Sequence, residues 1–281
     1  MGRGDESGHT AFDPLVDVPP EVDVDRPSAA RMYDYYLGGS AHFAVDRQAA
    51  EQALAAAPGG GDYTRANRSF LRRVVGYLCR AGIDQFLDLG SGIPTVGNVH
   101  EVAHEHNPAS RIAYVDIESV AVAHARQLLG TEPRVTVTQG DLRRPDTVLS
   151  APGVAGLLDF TRPVAVLAIS ILPFIPDSDE PVAIMAAYRQ ACVPGSYLAV
   201  SHGSPVTLSA EQVRRSEAVY RHTTTPLTWR SRDEIAAFLP GYRLVEPGLV
   251  LLGDWHPDPG EHTPAEATNG YGALGFLPGP C

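Results

Sequence analysis

Phe86-Leu87-Asp88-Leu89-Gly90-Ser91-Gly92-Ile93-Pro94 is the stretch that decides the fold. Its apolar start reads as a short strand buried on both faces. The run then breaks into Gly-x-Gly, and a helix-like pattern follows over residues 95–106. Strand, glycine turn and helix together form the nucleotide-binding corner of a doubly wound α/β domain. Glycine lets the backbone approach a ligand more closely than any side chain would permit. The helix N-terminus behind it favours a negative group.

A dinucleotide fingerprint would continue as G-x-G-x-x-G, with its third small residue at position 95. Thr95 stands there instead, and the next glycine, Gly97, comes two places late. Asp88 also precedes the glycines, where a pyrophosphate would meet a repelling carboxylate. A carboxylate suits a ligand bearing an ammonium group, such as the methionine part of S-adenosylmethionine.

Working outward, strand patterns at residues 85–89, 111–115, 135–138, 164–169 and 196–201 alternate with helical ones. That alternation predicts a parallel sheet with right-handed crossovers. Helices are expected at 120–129, 181–192 and 210–222, and Ser231-Arg232-Asp233-Glu234 is a capping box opening another that ends by Gly241. Strands at 243–252 and 271–277 complete the sheet, joined by a Pro- and Gly-rich loop. Upstream, helices are expected at 45–57 and 63–81. Ser28 is placed to cap a shorter one that stops at Gly38-Gly39. Tyr33, Tyr35 and Tyr36 in that short helix read either as core or as an aromatic lid over a cofactor. Residues 1–26, acidic and rich in Gly, Pro and Asp, are expected to be a flexible tail. Residues 27–84 then form a helical cap and 85–281 the core, with 27–281 one folded unit.

A chain of 281 residues can bury a substantial core, and its formal net charge of −11 argues against a nucleic-acid partner. All 22 basic residues are arginine. Without lysine there is no Walker phosphate loop, no pyridoxal Schiff base and no lysine nucleophile. Cys79, Cys192 and Cys281, odd in number and far apart, fit a reducing cytoplasm better than a disulfide framework. No apolar run is long enough to span a membrane and no signal peptide is evident.

Two acids stand where a nucleoside would need them. Asp116, ending the second strand about 25 residues beyond the glycines, is placed either to accept from both ribose hydroxyls or to cap a helix. Asp141, after the third strand, could accept from an adenine amino group while Leu142 packs on the ring. A rival signal is His100-Glu101-Val102-Ala103-His104, an H-E-x-x-H match with both imidazoles on one helix face. Glu118 and Glu132 are available as a third zinc ligand, but this helix must also pack Val99, Val102 and Ala103 on the sheet, and the expectation is no metal. His202, read as following the fifth strand, is the candidate general base, and His42, Trp229 and Trp255 are candidate pocket residues. Gly90-Ser91-Gly92 lacks the flanks of a nucleophile elbow.

Several stretches together resemble one bacterial S-adenosyl methyltransferase family: Ala30-Arg31-Met32-Tyr33-Asp34-Tyr35-Tyr36-Leu37-Gly38-Gly39, Leu87-Asp88-Leu89-Gly90-Ser91-Gly92 and Asn98-Val99-His100-Glu101-Val102-Ala103. Tyr114-Val115-Asp116, Gly140-Asp141-Leu142-Arg143, Phe174-Ile175-Pro176-Asp177 and Val245-Glu246-Pro247-Gly248-Leu249-Val250 extend the resemblance over nearly everything after the acidic tail. It implies a Rossmann-like class I methyltransferase: a seven-stranded, mostly parallel sheet with helices on both faces and an N-terminal helical cap. It also implies S-adenosylmethionine as cofactor and a small-molecule methyl acceptor. The cofactor site would comprise Tyr33, Asp88, Gly90, Ser91 and Gly92 on one side, and Asp116, Ile117, Asp141, Leu142 and Ser170 on the other. The family usually carries His before its Phe-x-Pro-Asp stretch, where this chain has Pro173. The other readings are a cofactor-binding regulator with little catalysis and a zinc hydrolase acting through His100 and His104.

Overall fold

A computed structural model of the chain describes residues 23–94, 97–130, 132–260 and 268–279. Most of the expected acidic tail, Thr95 and Cys281 lie outside the described residues.

Five parallel strands form the body of the sheet: β1 (Gln85–Leu89), β2 (Arg111–Asp116), β3 (Val135–Gln139), β4 (Ala165–Ile169) and β5 (Tyr197–Gly203). Strands β6 (Arg243–Leu244), β7 (Val250–Leu251) and β8 (Gly270–Phe276) complete it. The order is β3-β2-β1-β4-β5-β8-β6, with β7 also on β8. The last strand runs antiparallel to β5, and β6 and β7 run antiparallel to it. The single strand expected over 243–252 is therefore two short ones. Pro247 has no N–H to give a ladder and Gly248 takes a left-handed φ of 89°, so pairing stops between them. Among the described residues the sheet therefore has eight strands in place of seven, with the expected doubly wound architecture.

The helices follow from local signals. The first, α1 (Ala29–Tyr36), stops where Gly39 lies so close to Asp34 that an added Cβ would sit 2.0 Å from its Oδ1. Ser28 occupies the N-cap position but does not cap: its hydroxyl donates to Glu118 Oε2 at 3.1 Å. Then come α2 (Ala44–Ala56) and α3 (Gly60–Arg80). Past β1, α4 (Val99–His106) starts four residues later than expected, with Glu101 accepting from the Asn98 N–H. Helices α5 (Ser119–Leu129), α6 (Pro145–Ser150), α7 (Pro152–Ala155) and α8 (Pro181–Ala191) fill the crossovers. Both α9 (Ala210–Tyr220) and α10 (Arg232–Ala236) open on capping boxes, at Ser209 and Ser231.

Apolar side chains lie on both faces of the sheet. One core joins Phe86, Ile112 and Leu167 to Phe70, Val74 and Leu78 of α3 and to Val102 of α4. The other joins Leu87, Leu89 and Val166 to Met185 and Tyr188 of α8 and to Phe238. Packing groups the helices differently from chain order. Helix α3, expected as cap, is a layer of the core. Helix α9, far downstream, joins α1 and α2 in a separate small cluster of Met32, Ala50, Ala53, Tyr36 and Tyr220. Among the described residues no helix is long and apolar enough to cross a membrane.

Candidate functional site

At the C-terminal ends of β1, β2 and β3 lies a cavity of about 400 Å³, where open α/β sheets place their ligands. The glycine turn forms one wall. Gly90 and Ser91 both donate backbone hydrogen bonds to the Val115 carbonyl, folding the turn back over β2. Gly90 takes a φ of 71°, and a Cβ there would sit 2.2 Å from Cγ1 of Ile171. Gly90→Ala therefore forces both a strained backbone and a displaced Ile171 into the cavity wall. We expect at least a tenfold loss of cofactor affinity by calorimetry and a stability in urea unfolding lower by on the order of 1–3 kcal/mol.

All ten residues expected at the cofactor line this one cavity: Tyr33, Asp88, Gly90, Ser91, Gly92, Asp116, Ile117, Asp141, Leu142 and Ser170. Asp88, next to last in β1, is a carboxyl only 6% exposed. Burial pushes its pKa up to about 7, with the Arg68 charge pulling down and the Asp116 charge pushing up. Asp116 is held by the turn itself, Oδ2 accepting from Gly92 N–H at 2.7 Å and Oδ1 from Glu118 N–H at 2.8 Å. Burial raises its pKa to about 6 against those two bonds. Each oxygen keeps a lone pair for a further donor. Beside it Ile117 is 51% exposed, an apolar side chain open to a cavity that Leu142, Ile169 and Ile171 also line. Asp141 is committed differently: Arg143 grips it, with Nη2 to Oδ2 at 2.7 Å and Nε to Oδ1 at 2.9 Å. Burial pushes the Asp141 pKa up, but the Arg143 hydrogen bonds and charge outweigh it and leave the group below its ordinary value.

Among the lining residues that the sequence reading does not single out, two are polar residues of one helix. Asn67 and Arg68 sit on α3, one turn before Leu71, where they continue N-terminally the apolar stripe of Leu71, Val74, Val75 and Leu78. Polar residues extending a buried stripe at helical spacing were the available signal. The Arg68 guanidinium lies 5.6 Å over the Tyr33 ring, and its Nε is buried without a hydrogen-bond partner. Asn67 connects the sheet to the cap: Ser201 Oγ donates to its Oδ1 at 2.5 Å and its Nδ2 donates to the Tyr33 hydroxyl at 2.9 Å.

A second, smaller cavity of about 90 Å³ adjoins the first, and Ala29, Tyr33, Ser170 and Phe174 line both. Ser170, at the end of β4, holds a left-handed φ of 56°, a strained conformation for a residue with a Cβ. Tyr63 pins it through a 2.9 Å hydroxyl–hydroxyl bond. Tyr33 of α1 lines both cavities, whereas Tyr36 lines only the smaller one and packs against the cluster of Met32 and Ala53. Tyr35 turns outward to Glu51. Pro173 and Trp229 line the smaller cavity. Trp255 is a core residue, edge-on to Phe70, and His42 is bound to Asp34 at 3.0 Å.

His202 needs correction. Strand β5 extends to Gly203 because β8 pairs with it as far as Gly270, so His202 lies within the strand and is 0% exposed. Arg230 donates from Nη1 to His202 Nε2 at 2.9 Å, which makes Nε2 the acceptor and places the ring proton on Nδ1, donating to the Gly203 carbonyl at 2.6 Å. Burial drives its pKa down to about 3. It lines neither cavity. A neutral imidazole with both nitrogens engaged is a support for Arg230, which in turn donates to the carbonyls of Leu172 and Ile175 and so holds the wall between the cavities.

The H-E-x-x-H pair is also accounted for by its neighbours. His100 Nδ1 lies 2.8 Å from the Tyr114 hydroxyl, and His104 Nε2 is 3.1 Å from the Ser110 carbonyl. Glu101 serves the start of α4. Among the described residues no group of three His, Cys, Asp or Glu side chains is arranged to hold a metal, and the zinc reading has nothing further to support it.

The chain resembles two solved structures closely along its length. A DUF574 family protein from Streptomyces avermitilis MA-4680 shares 36% identity and a TM-score of 0.86, over 91% of this chain and 99% of that one. A candidate methyltransferase from Thermobifida fusca YX shares 35% identity and a TM-score of 0.86, over 94% and 99%. No curated protein matches. A cavity with a buried carboxylate for an ammonium, a turn-held acid for a ribose and an apolar wall for a base fits S-adenosylmethionine. The model of the S-adenosyl methyltransferase family matches residues 17–278, and the chain belongs to that family, with S-adenosylmethionine as its cofactor.

Proposed function

We propose that the protein transfers a methyl group from S-adenosylmethionine to a small molecule held in the smaller cavity. The observation that carries this reading is the shared wall: the cofactor cavity and a separate apolar one meet at Tyr33, Ser170 and Phe174. When bound, the cofactor supplies a methyl group on a positively charged sulfur. Asp88 takes its ammonium and Arg68 its carboxylate, Asp116 the ribose hydroxyls and Ile117 the face of the adenine. Asp141, with its carboxylate held by Arg143, contributes mainly by fixing the loop that carries Leu142. The strained Ser170 and the Tyr33–Asn67–Ser201 bonds hold the shared wall rigid. Orientation of two reactants across such a wall can remove several kcal/mol from a barrier.

The half-buried thiols of Cys79 and Cys192 are unpaired, in keeping with a reducing cytoplasm, and the charge of −11 favours no polyanionic partner.

Calorimetry with S-adenosylhomocysteine tests the cofactor contacts. Asp116→Ala is expected to weaken binding by about 1.5–3 kcal/mol, the range for hydrogen bonds to a charged group. Asp141→Asn is expected to cost under about 1 kcal/mol, because its loss falls first on Arg143. NAD should not bind, since Asp88 stands where its pyrophosphate would pass. Equal losses in the two variants, with both folded by circular dichroism, would remove Asp116 from the ribose role.

A further inference from the structure

The smaller cavity has an unusual lining for a site of group transfer. Six aromatic side chains surround it: Tyr33, Tyr36, Tyr63, Phe174, Tyr220 and Trp229. Among the described residues, no carboxylate, imidazole, guanidinium or thiol lines it. Its hydroxyls are already engaged. Tyr63 and Ser170 bond each other, Tyr33 donates to the Thr64 carbonyl, Tyr36 donates to the Ala50 carbonyl, and Ser216 accepts from Trp229 Nε1. Burial raises the pKa of the Tyr33, Tyr36, Tyr63 and Tyr220 phenols, so they stay protonated. Nothing in this lining can remove a proton from an acceptor.

An acceptor must therefore bring its own free lone pair. An anion such as a phenolate or thiolate would supply one, but burial of a charge among apolar groups is costly and the faces of aromatic rings repel it. The same faces attract a cation. We propose that the acceptor is a small neutral nitrogen compound, a nitrogen heteroaromatic or tertiary amine, converted in this cavity to its quaternary cation. The nitrogen lone pair forms the new N–C bond to the methyl carbon as the C–S bond breaks. The electron pair of that bond goes to sulfur, which becomes a neutral thioether. The positive charge moves from sulfur to nitrogen, and no proton is released. The aromatic lining then holds the charge on the acceptor side.

This inference rests on the methyltransferase reading, and the test separates the two. The full chain is titrated calorimetrically at pH 8 with S-adenosylhomocysteine. The loaded protein is then titrated with three two-ring probes: N-methylquinolinium, neutral quinoline and anionic 2-naphthoate. The cation should bind at least about tenfold more tightly than the anion, with quinoline between them. Trp229→Leu should weaken the cation about tenfold, the size of one desolvated cation–π contact, and quinoline by less than about threefold. Tyr36→Leu provides the same comparison if Trp229→Leu does not retain its S-adenosylhomocysteine affinity. Naphthoate binding as tightly as the cation, equal losses for cation and quinoline in the variant, or no binding of any probe would overturn the proposal while leaving the cofactor reading intact. Failure of S-adenosylhomocysteine to bind would overturn the cofactor reading. The probe order on the unliganded chain would then still decide what the aromatic cavity prefers.

Discussion

Asp88→Asn is expected to weaken cofactor binding about thirtyfold or more while making the unliganded protein more stable at pH 8. Asp88 is a buried carboxyl whose pKa is raised to about 7, first by burial. At pH 8 it is ionised, and the folded chain bears the cost of that charge inside a site with no ammonium in place. The sign follows from linkage. A folded pKa raised above the unfolded one means that the folded state holds its proton more tightly. Its stabilising contribution is complete below about pH 4 and is lost as pH rises through about 7. A rise from near 4 to about 7 corresponds to at most about 4 kcal/mol, which an amide would not forfeit. Losing the ammonium partner should cost the cofactor about 2–5 kcal/mol of affinity, as for other truncated buried charge pairs. In the wild type, affinity should fall toward tenfold per pH unit below about 7, because the carboxyl must first give up its proton. Calorimetry in buffers of different ionisation enthalpy would register that proton. An Asp88→Asn protein that binds S-adenosylhomocysteine with wild-type affinity would place the methionine end elsewhere.

Arg31→Ala is expected to be the most destabilising single change in the cap. Arg31 is 1% exposed and every part of its guanidinium is used. Nε meets Asp46 Oδ2 at 2.8 Å, Nη1 meets Glu118 Oε1 at 3.1 Å, and Nη2 donates to the carbonyls of Asp23 and Arg26. Asp46 also accepts from the backbone N–H groups of Ser28 and Phe43, so the arginine ties α1 to α2. Through Glu118, two residues past Asp116, it ties both to the ribose corner. Removing it leaves buried carboxylates unpaired, a loss of about 3–5 kcal/mol in urea unfolding. Arg31→Lys should recover only part, because an ammonium cannot present the same fork of donors. A loss under about 1 kcal/mol for Arg31→Ala would mean that the network is not what holds the cap.

How far the fold was legible depended on where the information lay. The glycine corner could be read because strand, turn and helix signals are contiguous there, and Asp116 because it follows a second strand by the same rule. Residues set by long-range pairing were harder. The extent of β5, and with it the burial of His202, is fixed by β8 some seventy residues away, so a local pattern ended the strand two residues early. Arg68 was missed because a polar residue on a helix reads as a solvated face until α3 is known to lie on the sheet. The packing of α9 on α2 was not legible for the same reason: α9 carries few apolar residues and meets the N-terminal helices only in three dimensions. Asp141 does line the cavity, and its pairing with Arg143, only two residues away, is a local contact that the strand pattern does not report.

A crystal grown with S-adenosylhomocysteine tests the central claim most directly. Electron density should run through the larger cavity with the amino-acid end between Asp88 and Arg68, the ribose on Asp116 and the adenine against Ile117, its sulfur facing the wall shared with the aromatic cavity. Density in the opposite orientation, or a molecule bound outside this cavity, would contradict the assignment of the site.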